Sequence, residues 1–254
     1  MHRCYIHPDK WQERLLNPDI EESHYILDVL RAKNGDRIAV FDGRGREAVA
    51  EVKRVENGIP CLEPVSCESF VPFGMSFVLI QALPKGKRMD LIVEKSVELG
   101  AASIWPVITS RTVSRPEGEK RIRRSERWQK IALNAARQCG AEWVPDILPV
   151  CDYCDAVDRT AELDFLIVGS LSENAGSLRS VIGGIRKMTE LEAPDKTFRT
   201  GLLIGPEGDL ERSELDSAVE AGGIEASFGS LVLRVETAAI YALSVLGYEF
   251  REIR

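Results

Sequence analysis

Two oppositely charged residues near the end of the chain have side chains and neighbours that suit a ligand-binding or catalytic site. Arg234 and Glu236 precede an almost wholly apolar segment with a helical pattern. Two glycine-punctuated turns, Gly205–Gly208 and Phe228–Leu231, come shortly before them, and each follows a short apolar run. Glycine lets a backbone approach a ligand closely, so the arrangement predicts a ligand site. A plain strand-to-helix connection with a surface ion pair is the alternative that these residues leave open.

Missing motifs exclude several common kinds of site. The sequence contains neither GxGxxG nor GxxxxGK[ST], and it lacks GxSxG, HExxH and HRD. Because the last histidine is His24, we expect no histidine acid–base chemistry in the later part of the chain. Glu207 stands inside the first turn and would repel a phosphate, so we expect a ligand that is not phosphorylated.

A strongly basic stretch lies inside an otherwise acidic chain. The net charge is −7, yet residues 111–137 contain nine positive and three negative side chains. Arg121, Arg124 and Arg127 recur near helical spacing, so they can share one face of a helix. Such a local excess of cations indicates a nucleic-acid partner, with a solvated helix face as the alternative.

The residues after 71 predict alternating strands and helices. Apolar runs at 77–80 and 104–108 flank a helical pattern at 88–99, and this strand–helix–strand unit implies parallel strands. Arg111 and Arg115 follow one such strand, and a polar loop follows the apolar strand at 165–168. Ligands bind at the carboxyl ends of parallel strands, which is where these loops should lie.

Three further elements are predicted in this part of the chain. A helix over 120–139 should bury a stripe made of Ile122, Trp128, Ile131, Ala132 and Ala135. Residues 189–200 are predicted to be a charged linker. The final helix, 238–246, is apolar nearly all round, so we expect Thr237 as its N-cap and burial on all sides.

The first 70 residues predict a small β-rich domain. A strand at 37–42 and a partly alternating segment at 47–52 suggest a hairpin, and Asn57-Gly58 predicts another turn. A helix is predicted over 21–30. The proline- and glycine-rich stretch 64–74 suggests a domain boundary, so we expect domains at 1–70 and 71–254.

Composition limits the class of protein further. No run of eighteen apolar residues occurs, and the opening residues lack the apolar core of a signal peptide, so we expect a cytoplasmic protein without a membrane span. Six cysteines are scattered, and only Cys151 and Cys154 have CxxC spacing. Without a second such pair or a nearby histidine we expect no metal site, and we interpret the pair as opening a helix.

The residues around the two turns resemble the RsmE family of SPOUT-class ribosomal RNA methyltransferases, which methylate N3 of a uridine in small-subunit rRNA. The resemblance rests on Leu203–Gly208, Glu214 and Leu231–Ala238, and it covers residues 77–248. Upstream matches follow in the expected order: Lys85–Leu91, Glu98–Gly100, Arg111–Val113, Arg127-Trp128 and Ala135–Gln138.

The resemblance implies a fold, a cofactor and an assembly. The fold would be a trefoil-knotted parallel α/β domain preceded by a small PUA-like β-barrel, and the protein would be a homodimer. S-adenosylmethionine would lie bent between three loops. The implied cofactor-binding residues are Val168, Gly169, Ile204, Gly205, Pro206, Glu207, Gly208, Phe228, Gly229, Leu231, Leu233 and Thr237.

The resemblance also gives the charged residues roles. Methylation of uridine N3 needs its proton removed, so Glu207 or Glu236 is a candidate base, with Arg234 or Arg111 stabilising the uridine anion. The implied RNA-binding residues are Lys85, Lys87, Arg88, Arg111, Arg121, Arg124, Arg127 and Gln138.

The chain departs from the family pattern at two places. The family has GPEGG followed by Phe, whereas Asp209 and Leu210 stand there, and Ala141 replaces an arginine. Two other interpretations stay open: a SPOUT enzyme that methylates the ribose 2′-hydroxyl, and a non-catalytic RNA-binding ribosome assembly factor. Mapping the methylated nucleotide separates the first, and binding of S-adenosylmethionine separates the second.

Overall fold

The computed structural model describes residues 3–12, 14–71, 74–192 and 196–250. The chain forms two compact units, and each unit has its own sheet. The first unit comprises Met1–Pro72 with Leu133–Val144, and the second comprises Phe73–Ala132 with Pro145–Arg254.

The first unit contains a four-stranded sheet. Its first two strands pair in parallel and the others pair antiparallel, so the predicted hairpin is confirmed. The strands are β1 (Arg3–Tyr5), β2 (Arg37–Phe41), β3 (Arg46–Glu56) and β4 (Ile59–Ser69). The predicted helix over 21–30 is present as α1 (Ile20–His24), which continues as a π-helical turn over Tyr25–Val29.

The turn between β3 and β4 confirms one prediction, and the strand after it runs into the proline-rich stretch. Asn57 and Gly58 have φ angles of 52° and 78°, the paired left-handed conformation of a tight hairpin turn. β4 then continues to Ser69, so the first part of the stretch 64–74 is strand, and the first unit's opening segment ends at Pro72 within that stretch. Pro64 lies beside a register shift between β3 and β4, where an irregular ladder tolerates a residue without an N–H.

The second unit contains a parallel sheet, which confirms the predicted fold class. The strand order is β10-β12-β9-β11-β5-β6-β7, with β8 also pairing with β6, and every pairing is parallel. The strands are β5 (Met75–Ala82), β6 (Ser103–Ile108), β7 (Asp146–Ile147), β8 (Cys151–Asp152), β9 (Phe165–Gly169), β10 (Gly176–Ser177), β11 (Phe198–Ile204) and β12 (Gly223–Ser227).

Six helices accompany this sheet in the described ranges, namely α2 (Arg88–Glu98), α3 (Glu119–Cys139), α4 (Tyr153–Arg159), α5 (Leu178–Glu192), α6 (Arg212–Glu220) and α7 (Val235–Phe250). The last residues of α3, from Leu133 onward, belong to the first unit. Cys154 lies in the first turn of α4, as predicted, whereas Cys151 lies in β8 directly before that helix. One face of the sheet packs against α4 and α6 in an apolar cluster that includes Ile80, Ala156 and Leu215.

The stripe predicted for α3 is partly wrong. Trp128, Ala132 and Ala135 are buried, but Ile122 is 52% exposed. Ser125 is buried, and its hydroxyl donates to the Leu148 carbonyl at 2.9 Å. A satisfied hydroxyl can be buried at little cost, and apolarity alone does not identify such a position.

Two predictions about the late elements are also wrong. The charged linker over 189–200 is largely secondary structure, because α5 extends to Glu192 and β11 begins at Phe198, while 193–195 lie outside the described residues. The last helix begins at Val235, so Thr237 is inside its first turn and is not the N-cap. Tyr241 on that helix is 43% exposed in one chain, so burial on all sides would need a subunit interface and stays a prediction.

Within the described ranges no helix combines the length and apolarity needed to cross a bilayer. The trefoil knot and the closed β-barrel that the resemblance implies stay predictions, because the strand pairings describe only the order and direction of neighbouring strands.

Candidate functional site

A cavity of about 310 Å³ lies at the carboxyl edge of the parallel sheet. Three loops surround it, and each follows one of the neighbouring strands β9, β11 and β12. This is the edge at which open α/β sheets bind ligands. Its walls are Arg88, Gly169, Ser170, Leu171, Ile204, Gly205, Pro206, Glu207, Asp209, Phe228, Gly229, Leu231, Val232, Leu233, Arg234, Val235 and Ala238.

Most of the residues predicted to bind a cofactor line this cavity, but Val168, Gly208 and Thr237 do not. Val168 is fully buried in the apolar cluster beneath the sheet. A Cβ atom on Gly208 would lie 3.2 Å from the Arg111 side chain, so this glycine faces that arginine instead. Thr237 is exposed on α7.

Several cavity residues were not predicted, and most of them are neighbours of predicted ones. Ser170 and Leu171 lie in the polar loop after β9, whose sequence position already indicated a ligand site. The further additions are Asp209, Val232, Val235 and Ala238. Val235 and Ala238 line the cavity because α7 begins earlier than its apolar pattern suggested.

Asp209 explains how this chain tolerates its departure from the family pattern. Its φ angle is 63°, in the left-handed region that favours glycine. Aspartate is among the few other residues that enter this region readily, because its short side chain can hydrogen-bond locally. The Asp209 Oδ1 atom accepts from the Leu210 N–H at 2.9 Å, which is such a bond.

Two glycines let the walls of the cavity approach each other. A Cβ atom on Gly169 would lie 3.0 Å from the Phe228 ring, across two of the three loops. A Cβ atom on Gly205 would lie 3.3 Å from both the Asp209 carboxylate and the Leu210 nitrogen. Larger residues at either position would have to move a neighbouring wall.

Arg88 links the two candidate bases. Its Nη1 atom donates to Glu207 Oε1, which also accepts from the Lys85 N–H at 2.9 Å. Its Nε atom lies 3.6 Å from Glu236 Oε1. Arg88 was predicted to bind RNA, whereas here it lines the cavity and is committed to these carboxylates.

The environments of the two carboxylates differ. Burial raises the pKa of Glu207, but hydrogen bonds from the Lys85 N–H, from its own N–H and from Arg88 outweigh burial and leave that pKa below its ordinary value. Glu236 Oε2 is buried and has no hydrogen-bond partner among the described residues. A buried carboxylate oxygen without a partner is costly unless something else donates to it.

Arg234 lines the cavity with an exposed side chain. Over the described part of the chain it forms no ion pair, so the Arg234–Glu236 surface pair considered as the alternative is not present. Glu236 faces Arg88 instead, and the Arg234 cation is available to a bound anion.

The arginines of α3 are engaged with other side chains. Arg121 donates to both Asp152 oxygens, at 3.0 Å and 2.8 Å, and Arg127 forms a two-pronged pair with Asp90. Arg124 donates to the Ser114 hydroxyl at 3.0 Å. Their proposed role in holding RNA stays a prediction, and two of the three charges are already neutralised.

The cations in the loops after β5 and β6 differ from those of α3. Lys85, Lys87 and Arg111 are exposed. Among the residues that the structure describes, Arg111 bonds only to a neutral acceptor, the Gly208 carbonyl at 2.5 Å. Gln138 is also exposed, but it lies in the segment of α3 that belongs to the first unit.

No cluster of three or more His, Cys, Asp or Glu side chains suited to a metal ion occurs among the residues that the structure describes. The polar side chains that line the cavity are two carboxylates, two guanidinium groups and the Ser170 hydroxyl.

Two family models match the chain. Residues 72–247 match a model described as an RNA methyltransferase domain, and residues 18–62 match an RNA methyltransferase PUA domain. The first match contains every loop of the cavity, and the second covers α1, β2, β3 and the start of β4.

Individual relatives agree with these models over nearly the whole chain. Ribosomal RNA small subunit methyltransferase E of Synechocystis is 30% identical over 96% of this chain and 76% of its own length. The Bacillus subtilis protein of the same name is 28% identical over 92% and 90%. The crystal structure of the Neisseria gonorrhoeae protein of that name bound to S-adenosyl methionine is 29% identical, with a TM-score of 0.79 and coverage of 97% and 96%.

Proposed function

This chain belongs to the ribosomal RNA small subunit methyltransferase E family, and on that premise we propose that it transfers the methyl group of S-adenosylmethionine to N3 of a uridine in small-subunit rRNA. The observation that carries the proposal is the cavity at the carboxyl edge, which is built by three loops of the domain that the family model matches.

The residues of the cavity suit this cofactor. Ile204, Leu231 and Leu233 offer apolar surface for an adenine ring, and the backbones of 204–208 and 228–233 offer donors and acceptors for its edge. Glu207 and Asp209 place negative charge where a sulfonium and an ammonium group can be stabilised. S-adenosylmethionine, when bound, supplies an electrophilic methyl group.

The proton on uridine N3 must leave before that nitrogen is a good nucleophile, and we propose Glu236 as its acceptor. Glu207 is the poorer base, because two donors already satisfy its Oε1 atom and its pKa lies below the ordinary value. Glu236 Oε2 has no hydrogen-bond partner within the described ranges. Arg88 holds the other Glu236 oxygen at 3.6 Å and so orients the carboxylate.

Arg234 is the proposed stabiliser of the uridine anion. Its exposed guanidinium lines the cavity, and in the described residues it has no carboxylate partner that would compete for its charge. Stabilising negative charge as it develops lowers the barrier to methyl transfer. Arg111 is less suited to this role, because it is committed to the Gly208 carbonyl.

The rRNA backbone is proposed to lie on the cations of the loops after β5 and β6. Lys85 and Lys87 are exposed, and no ion pair involves either side chain in the part of the chain that the structure describes. The unit that matches the PUA model is proposed to add RNA contacts, and the rRNA substrate favours a cytoplasmic location.

A homodimer is proposed from the apolar surface that one chain leaves exposed. Leu231 and Val232 at the rim of the cavity are 76% and 77% exposed, and Tyr241 and Tyr248 lie exposed on α7. Contiguous exposed apolar residues are typical of protein interfaces. Light scattering should give twice the mass of one chain, and Tyr248→Lys should shift it toward the monomer.

Methylation of small-subunit rRNA by the purified protein tests the proposal, with the product nucleotide identified by mass spectrometry. We expect one 3-methyluridine, a loss of about 100-fold or more in turnover for Arg234→Ala and Glu236→Gln, and a smaller loss for Glu207→Gln. Methylation of a ribose hydroxyl would overturn the assignment to N3. Near-normal turnover of Arg234→Ala and Glu236→Gln at saturating substrates would overturn the roles proposed for these two residues.

A further inference from the structure

The turn after β11 contacts both loops that carry the exposed cations. Glu207 accepts from the Lys85 N–H, which ties the turn to the loop after β5. Gly208 accepts from Arg111, which ties it to the loop after β6. The same turn, called the cavity turn from here on, forms one wall of the cavity through residues 204–207 and 209. The cavity and the basic loops therefore share a structural element.

Glu214 makes a second connection between the loop after β6 and the segment after β11, although no role was predicted for it. Its side chain is only 8% exposed, and both carboxylate oxygens accept backbone hydrogen bonds. Oε1 accepts from the Ser110 N–H at 2.7 Å, in the loop after β6. Oε2 accepts from the Glu211 N–H at 2.9 Å, at the start of α6 and directly after the cavity turn.

The loop after β6 is compact, so a contact at one point positions the rest. Arg115 donates to the carbonyls of Thr109, Ser110 and Thr112 and closes the loop on itself. The Thr112 hydroxyl accepts from the Thr109 N–H at 3.0 Å. This loop joins the rest of the sheet edge through Ser110 and Arg111, which bond to Glu214 and Gly208.

We propose that Glu214 is a positioning residue that couples cofactor binding to RNA binding. It fixes the basic loop after β6 against the segment that follows the cavity turn, so ordering the turn around a cofactor also orders the loop for RNA. Two ligands that both need one ordered element bind more tightly together than singly, and each must change the affinity of the other by the same factor. The inference rests on the proposed function.

Glu214→Gln is the primary test. A glutamine still has one acceptor oxygen, which suffices for one of the two backbone N–H groups, but its amide nitrogen cannot accept from the other. The matched control is Glu220→Gln, which removes an exposed carboxylate from the same helix. Affinity for an in-vitro transcript of small-subunit rRNA is measured by filter binding, with and without saturating S-adenosylmethionine.

For the wild type and the control we expect the cofactor to tighten RNA binding by about fivefold or more, which is the usual range of such coupling. For Glu214→Gln we expect the ratio to fall below about twofold, with cofactor affinity alone nearly unchanged. A wild-type ratio of one, or an unchanged ratio in Glu214→Gln, would overturn the inference. Failure of the proposed function is separate, because it appears as no cofactor binding before RNA is added.

A second pair of variants keeps the test decisive should Glu214→Gln fail to fold in a thermal melt. Arg111→Ala and Lys85→Ala each remove one loop cation, but only the first also removes a tie to the cavity turn, because Lys85 bonds through its backbone. Both should weaken RNA binding, and only Arg111→Ala should reduce the ratio between the two conditions. Equal ratios in the two variants would contradict the inference.

Discussion

The arginines of α3 and the cations of the strand-exit loops look alike in the sequence but differ in the structure. Arg121 and Arg127 form two-pronged pairs with Asp152 and Asp90. Lys85 and Lys87 are exposed in the loop after β5, beside the turn that lines the cavity. A count of charges along the sequence therefore overestimates the positive charge that α3 can offer to RNA and underestimates that of the loops.

The difference shows that accessible charge depends on tertiary pairing. The basic stretch 111–137 contains nine cations, yet Arg123 also pairs with Glu119 and Arg137 with Glu22. A phosphate must displace an existing carboxylate to use such an arginine, whereas an unpaired lysine only releases counterions. We therefore expect most of the RNA affinity to come from the loops.

The largest expected effect is on the loop lysines. Lys85→Ala combined with Lys87→Ala should weaken binding of small-subunit rRNA by about tenfold or more and reduce the slope of log affinity against log salt by about 1 to 2. The double variant Arg121→Ala with Arg127→Ala is the matched control and should change the slope by less than half as much. Equal losses would remove the distinction between the two regions.

A gain of RNA affinity should follow when a helical arginine loses its partner. Asp152→Asn keeps the shape of the side chain but removes the charge that neutralises Arg121. We expect RNA binding to tighten by about twofold to threefold at low salt, with the gain disappearing as salt screens the freed charge. Asp155→Asn, an exposed neighbour in α4, is the control. A loss of affinity in Asp152→Asn would mean that Arg121 already binds RNA in its paired position.

Thermal stability should fall when an arginine of α3 is removed and should not change when a loop lysine is removed. Arg127→Ala removes a partly exposed ion pair with Asp90, which is worth about 0.2–1 kcal/mol, so the melting midpoint should fall by roughly 1–3 °C. Lys87→Ala breaks no ion pair that the described residues show and should leave the midpoint unchanged. Differential scanning fluorimetry measures both, and a larger loss in Lys87→Ala would contradict the assignment.

The smallest expected effect is a change in thermal stability at low pH. The pKa of Glu207 is lowered in the folded chain, so its stabilising bonds to the loop after β5 are complete above the unfolded pKa of about 4.5 and disappear as the pH falls through the lower folded value. Glu207→Gln should therefore differ in melting midpoint from the wild type at pH 6 and converge with it under acid. A constant difference from pH 6 to pH 3 would show that its charge does not hold the loop.

Much of the fold could be predicted because its elements repeat local patterns. Buried parallel strands appear as short apolar runs, and the hairpin turn at Asn57-Gly58 has the residue pair that its geometry needs. α5 was missed because Gly183 and Gly184 interrupt its pattern, although both lie inside the helix. The start of α7 was misplaced because apolarity begins later than the helix does.

The parts of the site in which glycines or polar residues follow a strand could be predicted. The matching family model and the similar relatives confirm the family to which those residues pointed. The roles of Arg88 and Glu214 could not be predicted, since each depends on partners more than 100 residues away along the chain. Ion pairs and buried carboxylates of this kind are tertiary contacts that no local spacing encodes.

Calorimetric titration of the protein with S-adenosylmethionine shows directly whether the cavity at the carboxyl edge of the sheet binds this cofactor. Ala238 lines the cavity, so Ala238→Phe should fill it and weaken binding by about tenfold or more, whereas Thr237→Phe, next to it but outside the cavity, should bind nearly as the wild type does. We expect one cofactor to bind per chain. No binding to the wild-type protein, or equal loss in both variants, would contradict it.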